Sequence, residues 1–447
     1  MSLDSAETAV LKRLTDQLAA HERSNQVKAE FYDGTHRPAF KVISSPDQMR
    51  GLSTRVGWAG IVVDSLEERL DFQGWRDPAG LGLDRVYRDN HLDVEAGLGH
   101  LDALIYGIAF VTIGVGDDDE PPVIVKMASP RSTTGLWNAR ARRLEAAATI
   151  VPTRRDETPR AALYLPDQTI RLAKTGQGGP WLEEDRDRHR LGRVPVIQLA
   201  NRTRASRLDG RSEITPPIRD LCDEASRILQ SMAVARECYS APHFWALNVN
   251  PEDFADKGWD FQMGRILAYQ GAIQGPEPKL GEFKAASPQP YVERLAALGQ
   301  QVCAEAGLPS VYLGAAADTA NPASADAIRA AETRLIKRAE RRQAQFGMAW
   351  LEVADLALRL ANGGDLPPGA DQIACLWGDA AAPTAAAQAD EAAKLVGAGI
   401  LPPQSRITLA RLGFTPDEQD QIIADWQANP APTAALAAAL APDRGDR

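Results

Sequence analysis

The sequence predicts an α+β chain that is mainly helical. Three observations lead there: long stretches repeat apolar residues at the helical period, short β-branched runs crowd the first half, and glycine and proline fall between these runs. The first helix runs to about Tyr32. Val10, Leu11, Leu14 and Leu18 mark its apolar face, and Phe31-Tyr32-Asp33-Gly34 closes it with a turn. Gly60 to Leu70, "GIVVDSLEERL", predicts a short amphipathic helix. From His91 a helix follows, with Leu92, Leu98, Leu101, Leu104 and Ile105 in period. Ile108, Phe110, Val111, Ile113 and Val115 then switch to a strand. Asp117-Asp118-Asp119-Glu120 and Pro121-Pro122 separate that strand from a second, Val123 to Met127, giving a hairpin with an acidic tip. Short β-like runs near Ala147 to Pro152, Ala162 to Leu165, Thr169 to Lys174 and Val194 to Leu199 complete a mixed α+β unit.

The middle of the chain is more regular. Thr215 can cap a helix that Pro216 begins, because proline is tolerated in the first turn. Ile218, Leu221, Cys222, Ala225, Ile228, Leu229 and Met232 form its apolar stripe, and it ends before Pro242. Two β-like runs follow, His243 to Val249 and Lys279 to Lys284. A second helix spans Gln289 to Ala306, stopped by Gly307 and Pro309. "GLPSVYLGAAADTANPASADAIRAAE", Gly307 to Glu332, then holds a long loop of small residues, the kind of segment that carries function on a firm scaffold. Ser324 is placed to cap a third helix, with Asp326 favourable in its first turn, that continues to about Asn362. Three or four short Ala-rich helical pieces and an Ala/Pro-rich tail from Asn429 finish the chain.

With 447 residues, the chain has room for two or three domains. Its 44% hydrophobic and 25% charged residues match an ordinary soluble composition. A formal net charge of −10 argues against a protein that coats nucleic acid. Cys222, Cys238, Cys303 and Cys375 are scattered without a C-x-x-C pair, which predicts a reducing compartment and no zinc site. The opening MSLDSAETAV lacks a basic, then apolar, leader, so no signal peptide is expected. No apolar run reaches the ~18 residues of a membrane span.

Catalytic patterns are missing. The sequence has no G-x-x-x-x-G-K-[ST], G-x-S-x-G or H-E-x-x-H, and Gly176 to Gly179 do not open a helix after a strand. No catalytic residue, metal site or cofactor is predicted. The acidic tip Asp117 to Glu120 has the groups to hold Mg2+ for nucleic-acid cleavage, but a solvated turn is the simpler reading. His91-Leu92-Asp93 and His100-Leu101-Asp102 lie on opposite faces of one helix, which points to capping or packing.

Two basic features stand out. Arg186, Arg188, Arg190, Arg193, Arg202, Arg204, Arg207 and Arg211 are dense but diluted by Glu183, Glu184, Asp185 and Asp187, as salt bridges or a solvated face would be. On the third helix Arg334, Lys337, Arg338, Arg341 and Arg342 form one stripe. Ile328, Leu335, Ala339, Phe346, Trp350 and Val353 lie ~100° round from it. Two readings of the stripe stand open: pairing with acids on a neighbouring surface, or contact with nucleic-acid phosphates.

"HLDVEAGLGHLDALIYGIAFVTIGV" (91 to 115), "GRVPVIQLANRTR" (192 to 204), "GRSEITPPIRDLCDEASRILQSMAVARECYSAP" (210 to 242), "GLPSVYLG" and "SADAIRAAETRL" (307 to 335) together resemble the portal proteins of tailed double-stranded-DNA bacteriophages, in the version common in phages of actinobacteria. That resemblance implies a portal fold with wing, stem, clip and crown, assembled as a homo-oligomeric ring, typically a dodecamer, at one capsid vertex. On this sequence it implies a wing over 1–212, stem helices at 213–240 and 289–308 and a clip at 241–288. A tunnel loop at 309–324, a long wing helix at 325–364 and a crown and tail at 365–447 complete the division.

The implied partners are double-stranded DNA passing through the channel, terminase, a head–tail adaptor and the major capsid protein, with no membrane. The implied place is the virion, and the host cytoplasm during assembly. Ala315, Ala316, Ala317, Asp318, Thr319, Ala320 and Asn321 would line the channel, offering little bulk and no positive charge. Three rival readings are a metal-dependent nucleic-acid-processing enzyme, another head–tail structural ring protein, and a generic helical scaffold with no DNA channel.

Overall fold

The structure, a computed structural model, describes residues 3–38, 54–151, 158–176, 179–239, 243–248, 266–269, 279–283, 287–314, 325–381, 385–414 and 416–428. It divides into two compact units, Met1–Ala380 and Ala381–Arg447. The predicted tunnel-loop residues Ala315 to Asn321, and the predicted cap Ser324, lie outside the described residues.

The first unit opens with helix α1 (Ser5–Tyr32). Asp4 and Glu7 form a capping box, each side chain accepting from the other's backbone N–H at 2.7 and 3.0 Å, which satisfies two donors the helix start leaves unpaired. Leu11 and Leu14 are buried against a five-stranded antiparallel meander. Its strands, in spatial and sequence order, are β4 (Thr133–Asn138), β5 (Arg143–Val151), β6 (Arg160–Tyr164), β7 (Thr169–Lys174) and β8 (Trp181–Asp187). Strand β8 escapes a sequence reading because WLEEDRD looks like a charged loop. As an edge of the sheet it keeps Glu184, Asp185 and Asp187 in water, a usual way of blunting an exposed edge.

Helix α2 (Trp58–Glu67) starts earlier than periodicity predicts and buries one face, leaving Ile61 exposed and Asp64 and Glu67 half-buried on the other. Ala59, Val62, Val63 and Leu66 are fully buried, and Gly60 and Ser65 are buried with them. Strand β1 (Phe72–Arg76) and helix α3 (Leu83–Asp89), both too short to signal themselves, come next. Helix α4 (Leu92–Tyr106) ends at Gly107 and runs into β2 (Ile108–Val115), which forms the expected hairpin with β3 (Val123–Ala128). Strand β9 (Val196–Ala200) pairs with the other edge of β2, giving the order β3-β2-β9.

Helix α5 (Pro216–Tyr239) buries Ile218, Cys222, Ala225 and Ile228, as its stripe predicts. The predicted cap fails: the Thr215 hydroxyl is buried with no hydrogen-bond partner among the described residues, and only its carbonyl joins the helix, accepting from the Arg219 N–H. Three strands follow, β10 (His243–Leu247), β11 (Ile266–Tyr269) and β12 (Lys279–Phe283). They are ordered β11-β10-β12, with β10 parallel to β11 and antiparallel to β12. Strand β11 has no counterpart in the sequence reading.

Helix α6 (Gln289–Ala306) returns along α5, with Leu298, Val302 and Cys303 buried. Helix α7 (Ala325–Ala361) has 37 residues, about 55 Å at ~1.5 Å per residue. Leu335, Ala339, Phe346, Trp350 and Val353 form its buried face. The Ile328 side chain lies outside the described ones. Strand β13 (Ala374–Trp377) then pairs antiparallel with β1, setting Trp75 opposite Cys375.

The core where these elements meet is aromatic. Trp350 stacks on Phe72 at 4.4 Å and donates its indole N–H to His100 Nε2 at 2.9 Å, while Trp75 donates to the Trp350 carbonyl at 3.0 Å. His100 is fully buried and stacks on Phe346 at 5.2 Å, and burial pushes its imidazole pKa down to about 3. His91 sits at the start of α4 in the left-handed region, at φ 48°. One histidine therefore begins the helix and the other packs beneath it.

The second unit contains helices α8 (Ala385–Gly397), α9 (Arg406–Arg411) and α10 (Pro416–Ala428). Ser405 caps α9 by accepting from the Thr408 N–H, Arg411 pairs with Glu391 at 2.8 Å, and Arg406 pairs with Asp420. Among the described residues, no helix is long and apolar enough to cross a membrane.

Candidate functional site

The two flanks of the 315–324 segment are tied together. Helix α6 ends at Gly307, whose φ of 69° is a left-handed conformation that glycine adopts without cost. The Gly307 and Leu308 N–H groups both donate to the Cys303 carbonyl. Glycine is required here for a second reason. A Cβ would fall 2.8 Å from Arg334 Nε, because the Arg334 guanidinium lies over the end of α6 and donates to the Ala304 carbonyl at 2.9 Å. A cation at a helix C-terminus also meets the negative end of its dipole.

After Pro309 a single 3-10 turn, Ser310–Leu313, presents Tyr312. Its hydroxyl donates to Glu332 Oε1 on α7 at 2.9 Å, and Arg69 donates to the same hydroxyl at 3.1 Å while pairing with Glu332 at 3.1 Å. Arg69 also reaches the Ala380 carbonyl at 2.7 Å. One guanidinium thus holds both sides of the segment.

The basic stripe of α7 divides. Arg338 and Arg342 turn inward onto Glu213, at 2.7 and 3.1 Å, joined by Arg202 at 3.1 Å and the Asn201 amide at 3.1 Å. The Glu213 side chain is only 1% exposed, the Arg342 side chain 9%. Burial by itself would raise the Glu213 pKa. The three guanidiniums and the amide outweigh burial and hold the carboxyl below its usual range. Burial lowers the pKa of Arg338 and Arg342, although both remain cations. Lys337 pairs with Glu340 at 2.6 Å, and Arg334 caps α6. Arg341 is exposed and has no ion pair among the described residues. The signal for the inward pair was absent from the helix itself, because Glu213 lies 125 residues before Arg338 in sequence.

The arginine run also resolves residue by residue. Arg186 is bidentate to Glu7, at 2.6 and 3.1 Å, and reaches Glu183, tying β8 to α1. Arg193 reaches Glu352 at 2.7 Å and Asp355 at 2.6 Å on α7. The loop from Arg202 to Arg211 instead walls an open basin of about 1170 Å3. Arg13, His21 and Lys28 line it from α1, Arg219 from α5, and Ile108 and Phe110 from β2. Gly210 makes the loop's return possible: it sits at φ 73° with its Cα against the Gly107 carbonyl, where any Cβ would strike. Lys28 donates to the Tyr106 carbonyl at 2.8 Å. Its pKa falls to about 8, through burial first and then the nearby charges of Arg207 and Arg219.

The acidic tip, Asp117 to Glu120, is wholly exposed at the far end of the β2–β3 hairpin. Among the described residues, no group of His, Cys, Asp or Glu is arranged to hold a metal ion.

Among the described residues, the tied flanks of the 315–324 segment, a long helix buried along one face and a three-stranded insert make a scaffold without a recognisable reaction centre. Known proteins share its sequence. The chain is 37% identical over 404 residues to the portal protein of Mycobacterium phage D29, covering 86% of this chain and 82% of that one. It is 36% identical over 412 residues to the portal protein of Mycobacterium phage L5, covering 88% and 82%. A solved chain from the "Neck of native GTA particle computed with C12 symmetry" is 15% identical, covers 85% of this chain and 96% of its own, and superposes with a TM-score of 0.46. The family model described as "Phage portal protein, SPP1 Gp6-like" matches residues 60–431. The chain belongs to that phage portal protein family.

Proposed function

We propose that copies of this chain close into a ring, a dodecamer, at one vertex of the capsid, and that double-stranded DNA enters and leaves through its centre. The portal role of the family and its place as a virion component stand on the family match. The ring would assemble in the host cytoplasm and then dock terminase during packaging, a head–tail adaptor afterwards, and the major capsid protein at its rim. The single observation that supports a channel is the tie of Arg69, Tyr312 and Glu332 across the ends of the 315–324 segment. It fixes where a loop of small residues begins and ends, as a collar around DNA requires.

On this reading the wing comprises 1–212 and the long helix 325–364. The stem comprises 213–240 and 289–308, the clip 241–288, the tunnel loop 309–324, and the crown and tail 365–447. On the same reading a collar of Ala315 to Asn321 from every copy narrows the channel and restrains DNA by steric contact, with Asp318 as the negative charge that keeps phosphates from sticking. Arg341, which is exposed and has no ion pair among the described residues, is the member of the α7 stripe best placed for a contact with a neighbour or a phosphate. No catalytic step is assigned to the chain.

Electron-microscope class averages of the purified protein test this. Rings with a hole of about 20 Å or more, the width of a duplex, are expected. Monomers alone, even when co-expressed with capsid protein, would overturn the reading. Metal-dependent cleavage of plasmid DNA would revive the enzyme reading at Asp117 to Glu120.

A further inference from the structure

The basin beside α1 and the tip of the β2–β3 hairpin carry opposite charges that are only partly matched among the described residues. Seven cations line the basin (Arg13, Lys28, Arg202, Arg204, Arg207, Arg211 and Arg219) against one carboxylate, Asp209. Arg207 pairs with Asp209, Arg202 with Glu213 and Arg13 weakly with Glu145. Among the described residues Arg204, Arg211 and Arg219 form no ion pair, and Arg219 Nε is buried without an acceptor. Like charges collected there repel one another; burial first, and then Arg207 and Arg219, lowers the Lys28 pKa. At the tip Asp117, Asp118, Asp119 and Glu120 are exposed, and none pairs with a cation among the described residues.

We propose that the acidic hairpin tip of one copy seats in the basic basin of the next copy in the ring. The proposal rests on the ring reading above and names one of its contacts. Three features favour this occupant. First, the basin's 1170 Å3 exceeds the ~300–1,000 Å3 of ordinary small-molecule pockets, which fits a segment of chain better than a metabolite. Second, the two patches lie at opposite ends of one strand. Ile108 and Phe110 line the basin, whereas the tip follows Val115, roughly 23 Å further on at ~3.3 Å per residue. A chain therefore cannot fill its own basin with its own tip. Third, a head-to-tail contact that closes a ring needs two different, complementary patches on every subunit, and these are such a pair.

The test reverses charge in the full-length chain. One variant carries Asp117→Lys, Asp118→Lys and Asp119→Lys; a second carries Arg204→Glu and Arg211→Glu; a third carries all five. All five positions are exposed, so the fold should survive, and unchanged melting temperatures would confirm it. Assembly is read as the fraction of subunits in rings by mass photometry at fixed salt. Each partial reversal should lower ring formation at least tenfold, and the fivefold variant, with both polarities exchanged, should return to within about threefold of the parent.

If the parent forms rings and the partial reversals form them equally well, the contact is refuted and the ring reading stands. If the fivefold variant is as poor as the partial ones, the contact is refuted too. If the basin reversal leaves rings intact but abolishes retention of a DNA duplex in a gel-shift assay, the basin serves nucleic acid and the proposal fails. If the parent forms no rings under any condition, the ring reading and this contact fall together.

Discussion

Replacing Glu213 by glutamine tests whether one carboxylate holds the middle of the molecule. Glu213 stands just upstream of α5, separated from it by Ile214 and Thr215, and receives Arg338 and Arg342 from α7 and Arg202 from the basin loop. Glutamine keeps the shape and one oxygen but removes the charge, leaving two largely buried guanidiniums facing each other. Arg202, with 36% of its side chain exposed, is screened by water and adds little. Breaking a buried ion pair by removing one partner costs about 3–5 kcal/mol. Unfolding entropy is about 2.1 cal/mol/K per residue. For the unit Met1–Ala380 unfolding together, a loss of 1 kcal/mol lowers Tm by about 1.2 °C, so Glu213→Gln should lower it by roughly 4–6 °C. Scanning calorimetry of the full chain reads this directly. Adding Arg338→Met and Arg342→Met to the glutamine variant should recover at least half of the loss, because the stranded charges go with them. A Glu213→Gln protein that melts within 1 °C of its parent would refute the reasoning.

Three further outcomes follow from the same geometry. His100 is neutral when folded, with a pKa of about 3 against an ordinary value of 6.5. The unfolded chain therefore binds one more proton below pH 6.5, and stability must fall as pH drops from there toward 3. Urea titrations between pH 6.5 and 5 should show His100→Gln losing less stability than its parent by about 1 kcal/mol per pH unit; parallel slopes would contradict the assignment. Gly307→Ala forces a side chain into the left-handed region and against Arg334, so a loss of about 1–3 kcal/mol is expected in chemical denaturation, and equal stability would mean that Arg334 does not rest on the end of α6. Thr215→Val removes a buried hydroxyl that has no partner and should leave the protein as stable or up to about 1 kcal/mol more so; a clear loss would show that the hydroxyl is satisfied after all.

Much of the helical frame is legible in the residues. Apolar period, Pro216 and Gly307 place α5 and α6 to within a residue or two, and the buried face of α7 was readable from Leu335 to Val353 because a helix buries what repeats at its own period. The β2–β3 hairpin declared itself by the change from helical to alternating pattern around Gly107. Signals of this kind are local, and so is the physics that makes them.

What failed was set by partners distant in sequence. β8 is a strand because β7 offers it an edge, and β1 because β13, some 300 residues later, lies beside it. Thr215 has a capping residue's chemistry, but its buried hydroxyl found no backbone N–H to accept. Periodicity put Arg334, Lys337, Arg338, Arg341 and Arg342 on one stripe. Only the tertiary fold decided that Glu213 would draw two of them inward and that the end of α6 would take a third. The basin is likewise assembled from α1, β2, the 202–211 loop and α5. A sequence records which charges a chain owns. Which of them meet depends on distances that exist only once the chain has folded.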